Sequence, residues 1–225
     1  MRFLISIALI LYPFLLSSQI HYRVSADFSI KESDGHFDNL NMGKIYYDLV
    51  EDILVYNMYF PEKLDWVIHD TSFYTFRNNE IENRFSIPKI NSENILHLSL
   101  TGDLNDFGIS KTNLYDLSES KYEDSLIIST YKPTRNKIEK FFGKIVISLK
   151  KGKLNGIIFF NTNDEIVKKL IIQKYEIING LFIPNKILEI IYLNNKETYK
   201  ITSFKNIKLN EQKNENYYNY LNFNN

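Results

Sequence analysis

Ile53-Leu54-Val55-Tyr56, Ile157-Ile158-Phe159-Phe160 and Ile190-Ile191-Tyr192-Leu193 are apolar at every position. Each run has strand length and is rich in β-branched and aromatic residues. A sheet with one face on water alternates apolar and polar positions, so runs apolar on both faces require a second cover. Other runs do alternate. Tyr22, Val24, Ala26, Phe28 and Ile30 share one face of 22–31, and Ile45, Tyr47 and Leu49 share one face of 42–51. Further strands are predicted at 53–60, 64–69, 72–76, 125–131, 143–149, 155–160, 167–178, 187–193 and 198–209. Turn signals divide them at Asp34-Gly35, Asn78-Asn79, Lys150-Lys151-Gly152, Asn161 to Asp164, Asn179-Gly180 and Asn194-Asn195, and Pro61 and Pro133 stop two of the runs. Connections this short join antiparallel neighbours, so about eleven strands form a meander.

One stretch breaks the strand pattern. Between Asn91 and Glu119, Leu96, Leu100 and Leu104 recur every fourth residue and form a helical stripe. Asn91 or Ser92 caps its start, Glu93 suits the first turn, and Gly102 weakens or breaks its end. A second helical piece is expected over 111–118, carrying Leu114 and Leu117. The stripe either seals a cavity or packs on the sheet. From Asn210 the tail is polar and rich in Asn and Tyr, and is expected to fray.

The N-terminus has the order of a secretory signal: basic Met1-Arg2, the apolar run FLISIALILYPFLL, then Ser17-Ser18-Gln19. That run is shorter than the ~20 residues that span a bilayer. Cleavage is expected near Ser18, leaving a single domain over 19–209 and a tail over 210–225. The chain has no cysteine, which excludes disulfides, thiolate metal sites and a thiol nucleophile. Lys+Arg and Asp+Glu are equal at 27 each, which gives no charge excess for nucleic acid.

Catalytic chemistry is not visible. No nucleophile elbow, phosphate loop or dinucleotide fingerprint occurs. The histidines are His21, His36, His69 and His97, none spaced for a helical zinc site. Asp34, His36 and Asp38 lie close together, which a solvated turn explains more simply than a metal. His69-Asp70 reads as a strand-end polar pair, with no nucleophile motif beside it. Lys150-Lys151-Gly152-Lys153 reads as a hairpin loop, with a docking patch for an acidic or phosphate group as the alternative. Trp66 serves a ligand wall or ordinary core packing. The chain is expected to be no enzyme, with no metal and no cofactor.

Several segments, in this order, resemble the LolA-like family of periplasmic lipoprotein carriers. Ser25-Ala26-Asp27-Phe28 opens the first strand and Gly43-Lys44-Ile45-Tyr46-Tyr47 the second. Trp66-Val67-Ile68-His69-Asp70 leads into Phe73-Tyr74-Thr75-Phe76, and Tyr175-Glu176-Ile177-Ile178-Asn179-Gly180-Leu181-Phe182-Ile183-Pro184 is similar to the family's late hairpin. The resemblance implies an incomplete antiparallel β-barrel with a short helical lid over an apolar cavity. It departs from the family in two places. Family members usually begin with a lid helix, whereas here a strand starts soon after the expected cleavage site. Tyr47-Asp48-Leu49 stands where the family carries a basic residue and proline that latch the lid.

The function so implied is a periplasmic carrier or chaperone that binds acyl chains of lipoproteins or other lipids in outer-membrane biogenesis. The alternative is a non-catalytic binding or sensor module of the same fold with an envelope protein partner. Either would be a monomer. Alternation selects Ile45, Tyr47, Tyr56, Met58, Phe60, Trp66, Ile68, Ile145 and Ile147 as inward, ligand-facing residues, joined by Leu96, Leu100 and Leu104 from the helical stretch. A hollow roomy enough for a guest is expected between sheet and helices.

Overall fold

A computed structural model of the chain describes residues 21–78, 80–87, 95–134, 139–193, 196–211, 213 and 215–218. The expected leader at 1–18 and the helix-capping residues Asn91 and Ser92 lie outside them. Among the described residues thirteen strands form one antiparallel sheet. They are β1 (Arg23–Ser33), β2 (Asp38–Asp48), β3 (Ile53–Phe60), β4 (Leu64–His69), β5 (Ser72–Arg77), β6 (Glu80–Ser86), β7 (Tyr115–Glu123), β8 (Leu126–Pro133), β9 (Ile145–Lys150), β10 (Lys153–Phe160), β11 (Ile166–Ile178), β12 (Leu181–Leu193) and β13 (Lys196–Leu209). Their spatial order is β6-β5-β4-β3-β2-β1-β13-β12-β11-β10-β9-β8-β7. Two meanders meet where β13 pairs with β1, and the sheet stays open, with β6 and β7 at its edges. Those two strands are consecutive in the chain, so their connection spans the sheet. Its helical part, α1 (Ile95–Thr101) followed by 3-10 turns at Leu104–Asp106 and Ile109–Lys111, packs on one face, called here the inner face.

Turn chemistry sets the tight hairpins. Lys151 and Gly152 have φ of 52° and 73°, and Asn179 and Gly180 have 49° and 84°. Two successive positive values match the twist of the flanking strands, and glycine reaches them without steric cost. Gly43 serves another purpose. A Cβ there would stand 2.2 Å from the Asn57 carbonyl oxygen and 2.8 Å from the Phe28 ring. Its absence lets β3 and that ring close on β2.

The count rises from about eleven to thirteen because two edge strands lack the expected pattern. β6 is exposed at every position, so nothing selects alternating apolar residues along it. β7 is also mostly exposed. It replaces the second helical piece expected over 111–118: Lys111 ends a 3-10 turn, and from Tyr115 the chain pairs with β8. Spacing of three between Leu114 and Leu117 was too short a signal to outweigh that ladder. β12 begins at Leu181, six residues before the expected Ile187. Pro184 interrupts the reading there, and the structure accommodates it opposite Tyr175 beside register shifts, where a missing ladder N–H costs least.

The described part of the polar tail is seated rather than frayed. Asn210 accepts from the backbone N–H of Tyr22 at 3.0 Å and donates its own N–H to the Arg23 carbonyl at 3.0 Å. Glu211 accepts from Ser25 Oγ at 2.9 Å. A single turn, α2 (Glu215–Tyr218), then lies on the outer face. Tyr217 stacks on Tyr46 at 4.5 Å, and Tyr218 is 1% exposed among Tyr46, Ile53, Val55, Val67 and Phe76. These outward residues are why β3 reads as apolar on both faces, and α2 is the second cover they need.

A lidded apolar face as the candidate functional site

Alternation brings Val24, Ala26, Phe28 and Ile30 of β1 to the inner face with Ile45 and Tyr47 of β2 and Leu54, Tyr56 and Met58 of β3. Beyond β13 the same core continues through Ile187, Ile172, Leu170, Ile157, Ile147 and Ile145. An aromatic row crosses one half of this face. Phe28 meets Tyr56 at 5.0 Å, Tyr56 meets Trp66 at 6.2 Å, Trp66 meets Phe73 at 5.9 Å, and Phe73 meets Phe85 at 6.2 Å.

The lid is short and depends on the sheet. Seven residues are too few for a helix that stands alone in water. No charged residue in its first or last turn complements the helix dipole. Ser99 Oγ donates to the Ile95 carbonyl at 2.7 Å and Thr101 Oγ1 to that of His97 at 3.0 Å, a back-bonding that slightly weakens helices. Gly102, at φ 78°, ends the element. Burial of Ile95, Leu96, Leu104 and Ile109 against the strands therefore holds the lid.

Among the described residues two polar links join lid to sheet. Tyr47 Oη and His97 Nδ1 lie 2.6 Å apart, tying β2 to α1. Asn105 Oδ1 accepts from the Leu154 N–H of β10 at 3.3 Å. Burial, followed by the nearby Asp52 carboxylate, pushes the Tyr47 hydroxyl far above its ordinary titration range, so it stays protonated. Its oxygen also lies 3.4 Å from Asp52 Oδ1. The Tyr47–His97 bond thus closes with either partner donating, since the tyrosine proton has a second acceptor.

Room is unevenly distributed. Beneath the start of α1 the void bounded by Ile30, Tyr56, Ile95, Ile187 and Glu189 measures about 20 Å³. The hollow expected there is filled by side chains: Leu96 is 1% exposed, Leu104 is buried, and Leu100 is partly buried against them. A larger cavity of about 410 Å³ opens where the lid meets the β9–β10 and β11–β12 hairpins.

No family model and no curated protein matches this sequence. Solved structures do match. A LolA superfamily protein from Nitrosomonas europaea superposes with a TM-score of 0.58 at 10% identity, over 88% of this chain and 90% of its own. A putative outer membrane lipoprotein-sorting protein domain from Vibrio parahaemolyticus gives 0.60 at 9% identity, over 89% and 91%. The fold is LolA-like. A DUF1329 family protein from Desulfovibrio piger gives 0.50 at 14% identity, over 89% and 90%.

On this LolA-like sheet, Ile45, Tyr47, Tyr56, Met58, Ile145 and Ile147 join Leu96 and Leu104 in one buried cluster. Trp66, Ile68 and Leu100 are partly buried against it. Phe60 is not part of it. It pairs with Met42 of β2 but lies past the last β3–β4 pair, Met58 with Leu64, and is 45% exposed because β4 does not reach that far.

Several residues of the face escaped sequence reasoning. Glu189 is buried on the inner side of β12, bridged by Lys168 and with Lys200 Nζ at 3.9 Å. Its two lysines come from different strands, so only the pairing register reveals the cluster. His97 and Tyr175 were missed because neither shares a motif with its partner. Elsewhere Asp34 accepts from the His36 and Phe37 amides at 2.9 and 2.8 Å, bonds that lower its pKa, so the 34–38 segment is a self-bonded turn. Among the described residues no group of three or more His, Cys, Asp or Glu could hold a metal.

Proposed function

We propose that this chain is a non-catalytic carrier of the bacterial envelope, exported by its residues 1–18, that shields acyl chains of lipoproteins or other lipids between the inner face and a displaceable lid. The observation that carries this reading is the mismatch between cover and covered: a seven-residue helix and the 3-10 turn after it, with one polar link each among the described residues, lie over an apolar face that runs across the sheet. The likeness to a LolA superfamily protein and to a lipoprotein-sorting domain supports it. Ligand-facing roles follow for the inner residues Ile45, Tyr47, Tyr56, Met58, Trp66, Ile68, Ile145 and Ile147, and for Leu96, Leu100 and Leu104 of the lid.

The energies are of the right order. Exposing Ile95 and Leu96 by lifting α1 costs about 2–3 kcal/mol each, while each methylene of a guest gains about 0.8 kcal/mol on burial. About five to eight methylenes therefore offset the lid, and longer chains bind with what remains. Affinity is expected to be absent for six-carbon alkyl chains and to climb steeply to sixteen carbons. Displacement of an apolar fluorescent dye from the purified protein measures this, and mass spectrometry of solvent extracts identifies acyl ligands carried from the cell. Failure to bind any chain or dye would overturn the reading.

Tyr47→Phe removes the hydroxyl that ties β2 to α1. A hydrogen bond of this kind contributes about 0.5–1.5 kcal/mol, so the lid should open up to about tenfold more often. The expected result is faster dye entry and exit with little change in the unfolding midpoint. Unchanged rates would show that this bond does not hold the lid.

A further inference from the structure

The cavity of about 410 Å³ beside the lid has a wall and a charge that the carrier reading does not use. Leu104, Leu181 and Phe182 supply apolar wall, continuous with the lid core through Leu104. Tyr175 adds its ring, while its hydroxyl donates to the Leu154 carbonyl at 2.6 Å, leaving that wall neutral. The charged residues lining the cavity are Lys151 and Lys153, and no carboxylate lines it. The tight β9–β10 turn holds both lysines at the rim, with Lys151 and Gly152 at positive φ. Lys153 Nζ stands 3.6 Å from the centroid of the Phe182 ring. Among the described residues neither lysine is ion-paired, in a chain whose acidic and basic residues balance. A cavity of this size is in the range of small-molecule sites, and two cations on an apolar wall match a ligand that is anionic at one end and greasy at the other.

We propose that this cavity binds the head end of an anionic amphiphile, the charged oxygens meeting Lys151 and Lys153 and the alkyl chain running along Phe182 and Leu104 toward the inner face. The proposal rests on the carrier reading and narrows it from any acyl chain to chains with an anionic head. A carboxylate and a phosphate monoanion or diester share the required chemistry. Walls of leucine and phenylalanine exclude a free hydrated anion as the favoured guest, because it would leave them uncovered.

The test compares laurate, lauroyl lysophosphatidylglycerol, dodecanol and inorganic phosphate, each titrated against the folded protein and against Lys151→Met/Lys153→Met. Both anionic amphiphiles are expected to bind at least tenfold more tightly than dodecanol, with phosphate not binding. The double variant should lose that preference while keeping the parent's affinity for dodecanol and its melting temperature, and salt should narrow the gap in the parent alone. Tighter binding of laurate identifies a carboxylate head, and tighter binding of the lysolipid a phosphate head. Equal affinity for charged and uncharged chains, or a preference that survives in the double variant, overturns this proposal and leaves the carrier standing. Phosphate binding as tightly as the lysolipid overturns the amphiphile. Failure of every amphiphile overturns both readings.

Discussion

Asp48→Ala is expected to lower the unfolding free energy by about 3–5 kcal/mol, the range found when one partner of a buried ion pair is removed. The Asp48 side chain is 2% exposed and its Oδ2 lies 2.6 Å from Arg23 Nε. Its other oxygen accepts from the Val50 and Glu51 amides at 2.8 and 3.2 Å, closing the turn between β2 and β3. Alanine leaves a guanidinium held between the Tyr22 and Tyr218 rings, at 5.4 and 4.5 Å, without that carboxylate, and leaves two amides without their acceptor. Typical domain stabilities are about 5–15 kcal/mol, so a large part of the total is at stake. Urea unfolding should show a lower midpoint at unchanged slope. Asp48→Asn keeps an acceptor for the turn and should fall between parent and alanine. A loss below about 1 kcal/mol for Asp48→Ala would mean that the pair is not effectively buried in solution.

Tyr218→Ala is expected to cost about 3–5 kcal/mol, as for other large buried rings. The ring sits edge-on to Tyr46 at 5.6 Å and roofs Val55, Val67 and Phe76, which its removal opens to water. Urea midpoints measure the loss, and hydrogen exchange should show β2 and β3 opening more readily. An effect within about 0.5 kcal/mol, the range of ordinary surface substitutions, would mean that α2 does not seal the outer face. Because Tyr218 and Asp48 both act on Arg23, the double variant should lose less than the two single losses added together.

These two substitutions concern the outer face, and they matter for the inner one. A sheet apolar on both sides offers two places for a lipid to bind without specificity. α2 covers the outer apolar cluster with a short turn set beyond the last strand, which leaves the inner face as the apolar surface for the proposed guest. In the proposed carrier, the energy of a guest chain, set against a helix of marginal stability, would govern opening of the seated lid. The proposed carrier would need release as well as capture, and a lid that costs several methylenes to lift would make both reachable by chain length.

Much of the sheet was legible in local pattern. Alternation placed Phe28 with the apolar residues on one face of β1 and Ile45 with Tyr47 on one face of β2, and Lys151-Gly152 and Asn179-Gly180 announced their turns, because side-chain direction and positive φ are properties of neighbouring residues. β6 and β7 were silent, since an exposed edge asks nothing of its residues' polarity. Pro184 argued against a strand that the register shift beside it permits.

The linear order of residues thus dictated which segments extend, where they turn and which side chains share a face. It did not dictate that Tyr22 would meet Asn210, 188 positions away, that Tyr218 would roof Phe76, that His97 would reach Tyr47, or that Lys151 and Lys153 would border Leu104. Those contacts depend on how two separate meanders join along β1 and β13 and on where the crossing segment settles. They arise from the summed burial of both faces, to which distant parts of the chain contribute together.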